Sequence, residues 1–447
     1  MKKKLAIFFL FVLGGFILRV FHYWSFPVFG ETADESAWTH LGASLIQEGV
    51  PASWSYFGPY QPDYVYKTGV YDAPIVRPVF DHPPLFSLLP GLAHALKGDW
   101  LEFPSSKVIR LPLVLLGALN VGLFWLVAEK FFKDKGWAVF ATLLFMTIPE
   151  IVFGSRLVVA ENLIVTWNLL AMIALFYSEK KWSNRLLFVV SVLAVLTKVS
   201  GLVVPVVIIS LGFIEKKWDW FRAGMFGLIS GVIIYVLYGV LYNFDLFWAV
   251  LQSQAGRELG FATLQNRMFL HPTIVKNIFF DGWKIFGLLA SFIVLLKKDT
   301  KYLVIQLFTV LNLVFIVLTV GEGTLHGWYD YVLWPSFVLA ISIVFREIYV
   351  NGNNVMFGFA WMFLLPVVRL VAYLGNISLG LWAIRGIVSV GFMPLLFESI
   401  SLKKSRDFSM KFLFLLLLMF NILVVYLITI EKYWLQSAWF ESFKMSL

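Results

Sequence analysis

The sequence predicts an all-α polytopic membrane protein with about thirteen transmembrane helices. Three observations predict it. Of its 447 residues 60% are hydrophobic and only 14% charged, with a mean hydropathy of +0.81, whereas a soluble chain averages roughly a quarter charged. Apolar runs of bilayer length recur along the whole chain. The short loops between them are rich in Lys and Arg on one side, and the longer polar and acidic loops fall on the other, as the positive-inside rule requires. The net charge of +9 comes from those short loops and implies no nucleic acid partner. There is no Cys, which excludes disulfides and thiolate metal sites.

The first apolar run follows Lys2, Lys3 and Lys4 and lacks a small-residue cleavage site. It reads as a retained helix, Leu5–Trp24, with a cytoplasmic N-terminus. Residues 25–105 then form a first extracytoplasmic loop. Within it Thr32-Ala33-Asp34-Glu35 fits a capping box at the start of a surface helix. Ala37, Leu41, Leu45 and Ile46 share one face of that helix, and Gly49 ends it. Pro51 to Pro78 is rich in Pro, Gly and Tyr and should be irregular. Pro83-Pro84 opens a second short helix, Leu85–Leu96, too short to span. Spans follow over Val108–Phe131, Trp137–Phe153 and Leu163–Tyr177. A short hairpin, Leu186–Leu196 and Val199–Ile214, carries Lys198 near its outer tip. After Ala223–Tyr242 comes a second long outer loop, residues 243–281. The remaining spans are Leu288–Leu296, Tyr302–Val320, Tyr331–Phe345, Val355–Leu374, Gly380–Phe397 and Phe412–Ile430. Residues 1–447 thus read as one membrane-embedded domain, set in a cell membrane.

Four groups of residues could carry chemistry. Asp34 and Glu35 sit where a carboxylate could take a proton from an acceptor hydroxyl; the plainer reading is that Glu35 closes the cap and Asp34 charges a helix N-terminus. Asp81 and His82, held extended by the following proline, could bind a sugar hydroxyl or acceptor. With Glu31, Asp34 or Glu35 they could also hold a divalent metal, although no ligand spacing is diagnostic and a polar cap on Pro83-Pro84 is the simpler account. Arg110, Arg156, Lys198, Arg257 and Arg267 lie at outer ends of spans, where a cation can grip a lipid phosphate or merely snorkel. Arg156, between Glu150 and Glu161, could equally be an ion pair. His326, Tyr329 and Tyr331 could donate to phosphate or belong to an interfacial aromatic belt.

These motifs, in this order, resemble the polyprenyl-phosphate-sugar-dependent glycosyltransferases of the C-type (GT-C) fold. The nearest branch is the aminoarabinose-transferase-like and dolichyl-phosphate-mannose-protein mannosyltransferase-like group. Asp34-Glu35 follows the first span as that family's acidic pair does. Asp81-His82-Pro83-Pro84-Leu85 resembles its His-Pro-Pro-Leu element, Arg110-Leu111-Pro112 its Arg-led motif, and Leu196-Thr197-Lys198-Val199-Ser200-Gly201 its Thr-Lys-x-x-Gly stretch. Ser155-Arg156 lies on the matching outer turn, and Tyr331 to Pro335 agrees more weakly.

The resemblance implies an inverting hexosyl- or pentosyltransferase, with Asp34 as base, Glu35 as its acidic neighbour and Arg or Lys side chains at the lipid phosphate. Arg110, Arg156 and Lys198 are the expected cations, with His326 and Tyr331 beside them. The donor is a polyprenyl-phosphate sugar, held among membrane lipids; the acceptor is a lipid, glycan or protein. The longest relatives carry a C-terminal soluble domain and none is expected here, which leaves the acceptor open and disfavours an oligosaccharyltransferase. Metal use varies across the fold, so none is carried over. The rival class is a transporter or lipid-carrier flippase, which should place ionisable groups near mid-bilayer and broken helices in paired halves; neither pattern is evident.

Overall fold

The computed structural model describes residues 2–27, 34–67, 72–256, 282–320, 327–351, 354–374, 382, 385–386, 388–390 and 403–430. Helix α1 (Lys2–Val20) packs along α5 (Leu111–Phe132). Between them lie α2 (Asp34–Glu48), strands β1 (Ser53–Trp54), β2 (Tyr64–Lys67) and β3 (Asp72–Val76), α3 (Leu88–Ala95) and the single turn α4 (Ser106–Ile109). Then come α6 (Lys135–Thr147), α7 (Pro149–Gly154), α8 (Glu161–Phe176), α9 (Ser183–Thr197), a 3-10 turn (Val199–Leu202), α10 (Val203–Ile214), α11 (Trp218–Tyr242) and α12 (Phe244–Ala255). The rest is α13 (Trp283–Leu295), α14 (Thr300–Thr319), a 3-10 turn (Gly327–Leu333), α15 (Trp334–Asn351), α16 (Asn354–Leu374) and α17 (Lys403–Ile430).

Among the described residues five helical stretches are long and apolar enough to cross a membrane: Ser106–Phe132, Trp218–Tyr242, Thr300–Thr319, Trp328–Asn351 and Asp407–Ile430. Five more apolar helices are shorter, such as Lys135–Thr147 and Ser183–Thr197. At 1.5 Å per residue such helices fall short of the roughly 30 Å hydrocarbon layer, so the count of about thirteen full spans is not confirmed. The span expected at Gly380–Phe397 lies largely outside the described residues. The stretch around α15 is the packed post of the bundle, with 89% of its apolar window buried, whereas α11 has 28% buried and turns most of its apolar surface outward.

The first loop is better ordered than its composition suggests. As expected, α2 ends at Gly49, whose φ of +69° is a conformation that glycine adopts at no steric cost. The stretch expected to be irregular instead contains a three-stranded antiparallel sheet in the order β1-β3-β2. Trp54 pairs with Ile75, which also pairs with Tyr64 across the sheet. Ala73, Ile75 and Val76 are buried, and the carbonyl of Pro74 still accepts from the Ser55 amide at 3.1 Å. The strands have two, four and five residues, too few for an alternating pattern to stand out among prolines.

Helix α2 crosses α3 backbone to backbone at Gly42 and Gly91. A Cβ on Gly42 would overlap the Ser87 carbonyl, and one on Gly91 would overlap the Gly42 backbone. Gly42→Ala must therefore push the two helices apart. We expect a loss of roughly 1–3 kcal/mol, visible as a lower Tm of the purified protein. An unchanged Tm would mean that the two helices do not pack this closely.

Candidate active site

Two adjacent carboxylates leave the start of α2 for different environments. Successive helical positions differ by about 100°, so one side chain of the pair faces the core while the other does not. Glu35 is the inward one and is fully buried. Its two oxygens meet the Arg110 guanidinium side-on, Nε–Oε1 at 2.7 Å and Nη2–Oε2 at 2.6 Å, and Oε1 also accepts from the Val158 amide at 3.1 Å. Arg110 Nη1 donates onward to the carbonyls of Tyr23 and Pro27. The pair thus ties the chain after α1, the start of α2, the start of α5 and the turn after α7 into one knot. Asp34 is only half-buried and faces a cleft.

That cleft has a volume of about 350 Å³ and is lined by Asp34, Trp38, Trp54, Tyr56, Asp81 and His82 among others. His82 stacks on Trp38, ring centroids 4.5 Å apart, and Trp38 in turn meets Phe86 edge-on. Asp81 Oδ1 accepts from the Tyr60 hydroxyl at 2.8 Å, while the Tyr60 oxygen accepts from the Phe80 amide at 2.6 Å. Burial, and then the Asp81 carboxylate, hold the Tyr60 phenol well above its usual range, so it remains a donor at any working pH. Gln254 of α12 donates to the Asp81 carbonyl at 2.7 Å. Tyr235 and Tyr238 of α11 donate to the carbonyls of Phe80 and Val79, at 3.3 and 3.5 Å. Asp81 and His82 are therefore fixed from three sides.

A second cleft, about 490 Å³, adjoins the first. His82 and Tyr329 line both. Its walls are largely apolar, with Val199, Leu251, Phe315 and Leu318, and its charge is Lys198. Lys198 stands in an extended link between α9 and the following 3-10 turn. Gly201 is required there, since a Cβ would overlap the Ala194 carbonyl. The Leu85 amide donates to the Leu196 carbonyl at 3.2 Å, which brings the Pro83-Pro84 element to the hairpin tip. Lys198 Nζ meets Glu161 Oε1 at 2.7 Å and lies 4.4 Å from the Tyr329 ring centre. Burial opposes its charge, but Glu161, Tyr329 and the nearby Asp34 outweigh it and hold the ammonium above the ordinary lysine range. The ammonium has three donors, and Glu161 occupies one.

The other expected phosphate ligands sit elsewhere. Arg110 is bound as described, with Nε, Nη1 and Nη2 all on protein oxygens. Arg156 is fully buried and donates to the carbonyls of Leu18, Arg19 and Phe26 and to Thr429; it joins α1 to α17 and does not line either cleft. Its expected acidic neighbours are engaged elsewhere, Glu161 with Lys198 and Glu150 with Lys284. Tyr331 is buried over Gly154, in a separate small cavity beside Arg19. Of the tyrosines in this stretch, Tyr329 lines the two clefts. His326, Arg257, Arg267 and Glu31 lie outside the described residues.

Among the described residues no three His, Asp or Glu side chains converge as a metal would require. Glu35, a notional ligand, has both oxygens taken by Arg110, and His82 is stacked on Trp38. Among the described residues the arrangement does not fit a metal. Sequence reading missed the buried triad of Lys284 with Glu150 at 3.1 Å and Asp330 at 3.0 Å, whose members lie on α7, α13 and the 3-10 turn before α15.

The structure superposes on crystal structures of ArnT from Cupriavidus metallidurans. With the form bound to undecaprenyl phosphate the TM-score is 0.57 at 12% identity, covering 95% of this chain and 77% of that one. In fold the chain is similar to ArnT. The apo form of ArnT gives a TM-score of 0.49 at 12% identity, over 88% of this chain and 72% of that one. The oligosaccharyltransferase AglB from Archaeoglobus fulgidus, in complex with an inhibitory peptide and a dolichol-phosphate, gives 0.46 at 13% identity, over 78% and 51%. Residues 81–242 match the family described as dolichyl-phosphate-mannose-protein mannosyltransferase. That interval begins at Asp81-His82 and includes Arg110, Arg156 and Lys198. Sequence comparison with curated proteins finds no match.

Proposed function

We propose that this protein transfers a sugar, with inversion, from a polyprenyl-phosphate carrier to an acceptor hydroxyl on the extracytoplasmic side of the membrane. The observation that carries the reading is the pair of adjoining clefts. One presents a half-exposed carboxylate and the other presents a lysine between apolar walls. The carrier's tail lies along the apolar wall of α12 and α14, and its phosphate meets Lys198. Asp34 takes the proton from the acceptor hydroxyl as that oxygen attacks the anomeric carbon. The bond from that carbon to the phosphate oxygen breaks, and the electron pair leaves with the phosphate, whose developing charge Lys198 stabilises. A single displacement of this kind inverts the anomeric centre. His82 and Tyr329, shared by the two clefts, flank the transferred sugar. Glu35 and Arg110 are positioning residues that fix Asp34, and Arg156 holds α1 and α17 in place.

Lys198→Met keeps an unbranched side chain of nearly the same length and removes its charge. We expect the KM for an undecaprenyl-phosphate sugar to rise by roughly tenfold or more, as loss of a charge-assisted bond of about 1.5–3 kcal/mol implies, together with a fall in kcat. Steady-state transfer in proteoliposomes checks this. An unchanged donor KM would place the phosphate elsewhere.

A further inference from the structure

Resting on that transferase reading, we propose that the Asp34 cleft is a subsite for an uncharged saccharide acceptor, which stacks on Trp54, Tyr56 and Phe57. These three closely spaced aromatic contributors to the cleft come from β1 and the residues just after it. Their rings are held at the edges: Trp54 Nε1 donates to Ser36 Oγ at 2.9 Å, and the Tyr56 hydroxyl donates to the Asp72 carbonyl. The Trp54 and Tyr56 rings stand 5.5 Å apart at 60°, two walls of a corner. A pyranose has apolar C–H faces and a hydroxyl rim. Aromatic walls suit the faces, while Ser53, Asp81 and His82, also at the cleft, suit the rim.

Two alternatives fit less well. No Lys or Arg is among the described residues lining this cleft, and both of its charged side chains there, Asp34 and Asp81, are acidic. A phosphorylated or otherwise anionic acceptor would meet repulsion from them, with no compensating Lys or Arg among the described lining residues. The cationic chemistry is in the neighbouring cleft, at Lys198. A peptide acceptor would gain most by adding a strand to the sheet edge. The edge strand facing this cleft, β1, is only two residues long.

The test uses the full-length protein in proteoliposomes with a radiolabelled undecaprenyl-phosphate sugar and a membrane and cell-wall extract as acceptor. The labelled product is then isolated and classed as neutral glycan, anionic lipid or protein. The account expects label in a neutral glycan. It also expects Trp54→Ala, and separately Tyr56→Ala on the exposed ring, to raise the acceptor KM roughly tenfold with the donor KM unchanged. Label in protein or in an anionic lipid overturns the acceptor assignment while leaving the transferase reading intact. A rise in donor KM without one in acceptor KM also overturns it, since the corner would then hold the donor's sugar. Absence of any donor discharge by the wild type overturns the transferase reading itself.

Discussion

Asp34→Asn is expected to lower turnover by about two to four orders of magnitude, the usual contribution of a positioned general base, while leaving the donor KM close to wild type. The substitution preserves size and shape but removes the carboxylate's charge, and with it the ability to accept a proton at working pH. Donor binding should largely survive because the phosphate ligand, Lys198, is held by direct contact with Glu161 at 2.7 Å, and Asp34 acts on it only as a weaker, more distant charge. Asp34→Glu, which retains the base but moves it by one methylene, should recover part of the rate. Steady-state kinetics at saturating acceptor separate these outcomes. Full turnover in Asp34→Asn would remove this carboxylate from the chemistry, and a large rise in donor KM alone would make it a binding group.

Removing one partner of the Glu35–Arg110 pair should have the largest effect on the folded state. Arg110→Ala leaves the fully buried Glu35 carboxylate without its guanidinium counter-charge, keeping only the Val158 amide of its bonds described above, and one-sided removal of a buried pair costs about 3–5 kcal/mol. Most of a marginally stable protein's reserve would be lost, so little monodisperse protein should survive detergent extraction. Glu35→Ala should behave alike, because Arg110 would then be the uncompensated charge. The double variant Glu35→Leu with Arg110→Met removes both charges at similar volume. It should regain most of the lost yield, although the bonds to Tyr23, Pro27 and Val158 are not restored. Size-exclusion profiles of the three variants measure this. If the double variant folds and transfers sugar, the pair positions Asp34. If Glu35→Gln folds fully yet transfers nothing, Glu35 is itself a catalytic group.

The difference between Asp34 and Glu35 shows where the sequence is legible and where it is not. Their location after the first apolar run, the stop at Gly49 and Lys198 at the tip of a short hairpin all follow from local patterns, whose physical basis is helical period, capping and loop charge. Glu35 meeting Arg110 does not follow, because the partners are 75 positions apart and no local rule links them. The same holds for Lys284, whose acidic partners come from two distant elements. Pro51 to Pro78 hid a sheet because its strands are shorter than the period that would reveal them. The choice between Tyr329 and Tyr331 depends on which way a 3-10 turn points its side chains, which tertiary packing decides. Two arginines suited by type to a phosphate serve instead to bind carbonyls and a carboxylate inside the bundle, because a guanidinium offers five donors to whichever oxygens the fold brings near.

The central claim is that a bond between sugar and carrier phosphate is broken here. It is tested most directly with a polyprenyl-phosphate sugar carrying one radiolabel in the sugar and another in the phosphate, supplied to the protein in proteoliposomes together with acceptor extract. The account predicts that the labels part: the sugar label appears in acceptor, the phosphate label remains with polyprenol as the free polyprenyl phosphate, and Asp34→Asn leaves both together. Both labels crossing the bilayer together on an intact carrier, equally with wild type and Asp34→Asn, would contradict it and make the protein a carrier flippase.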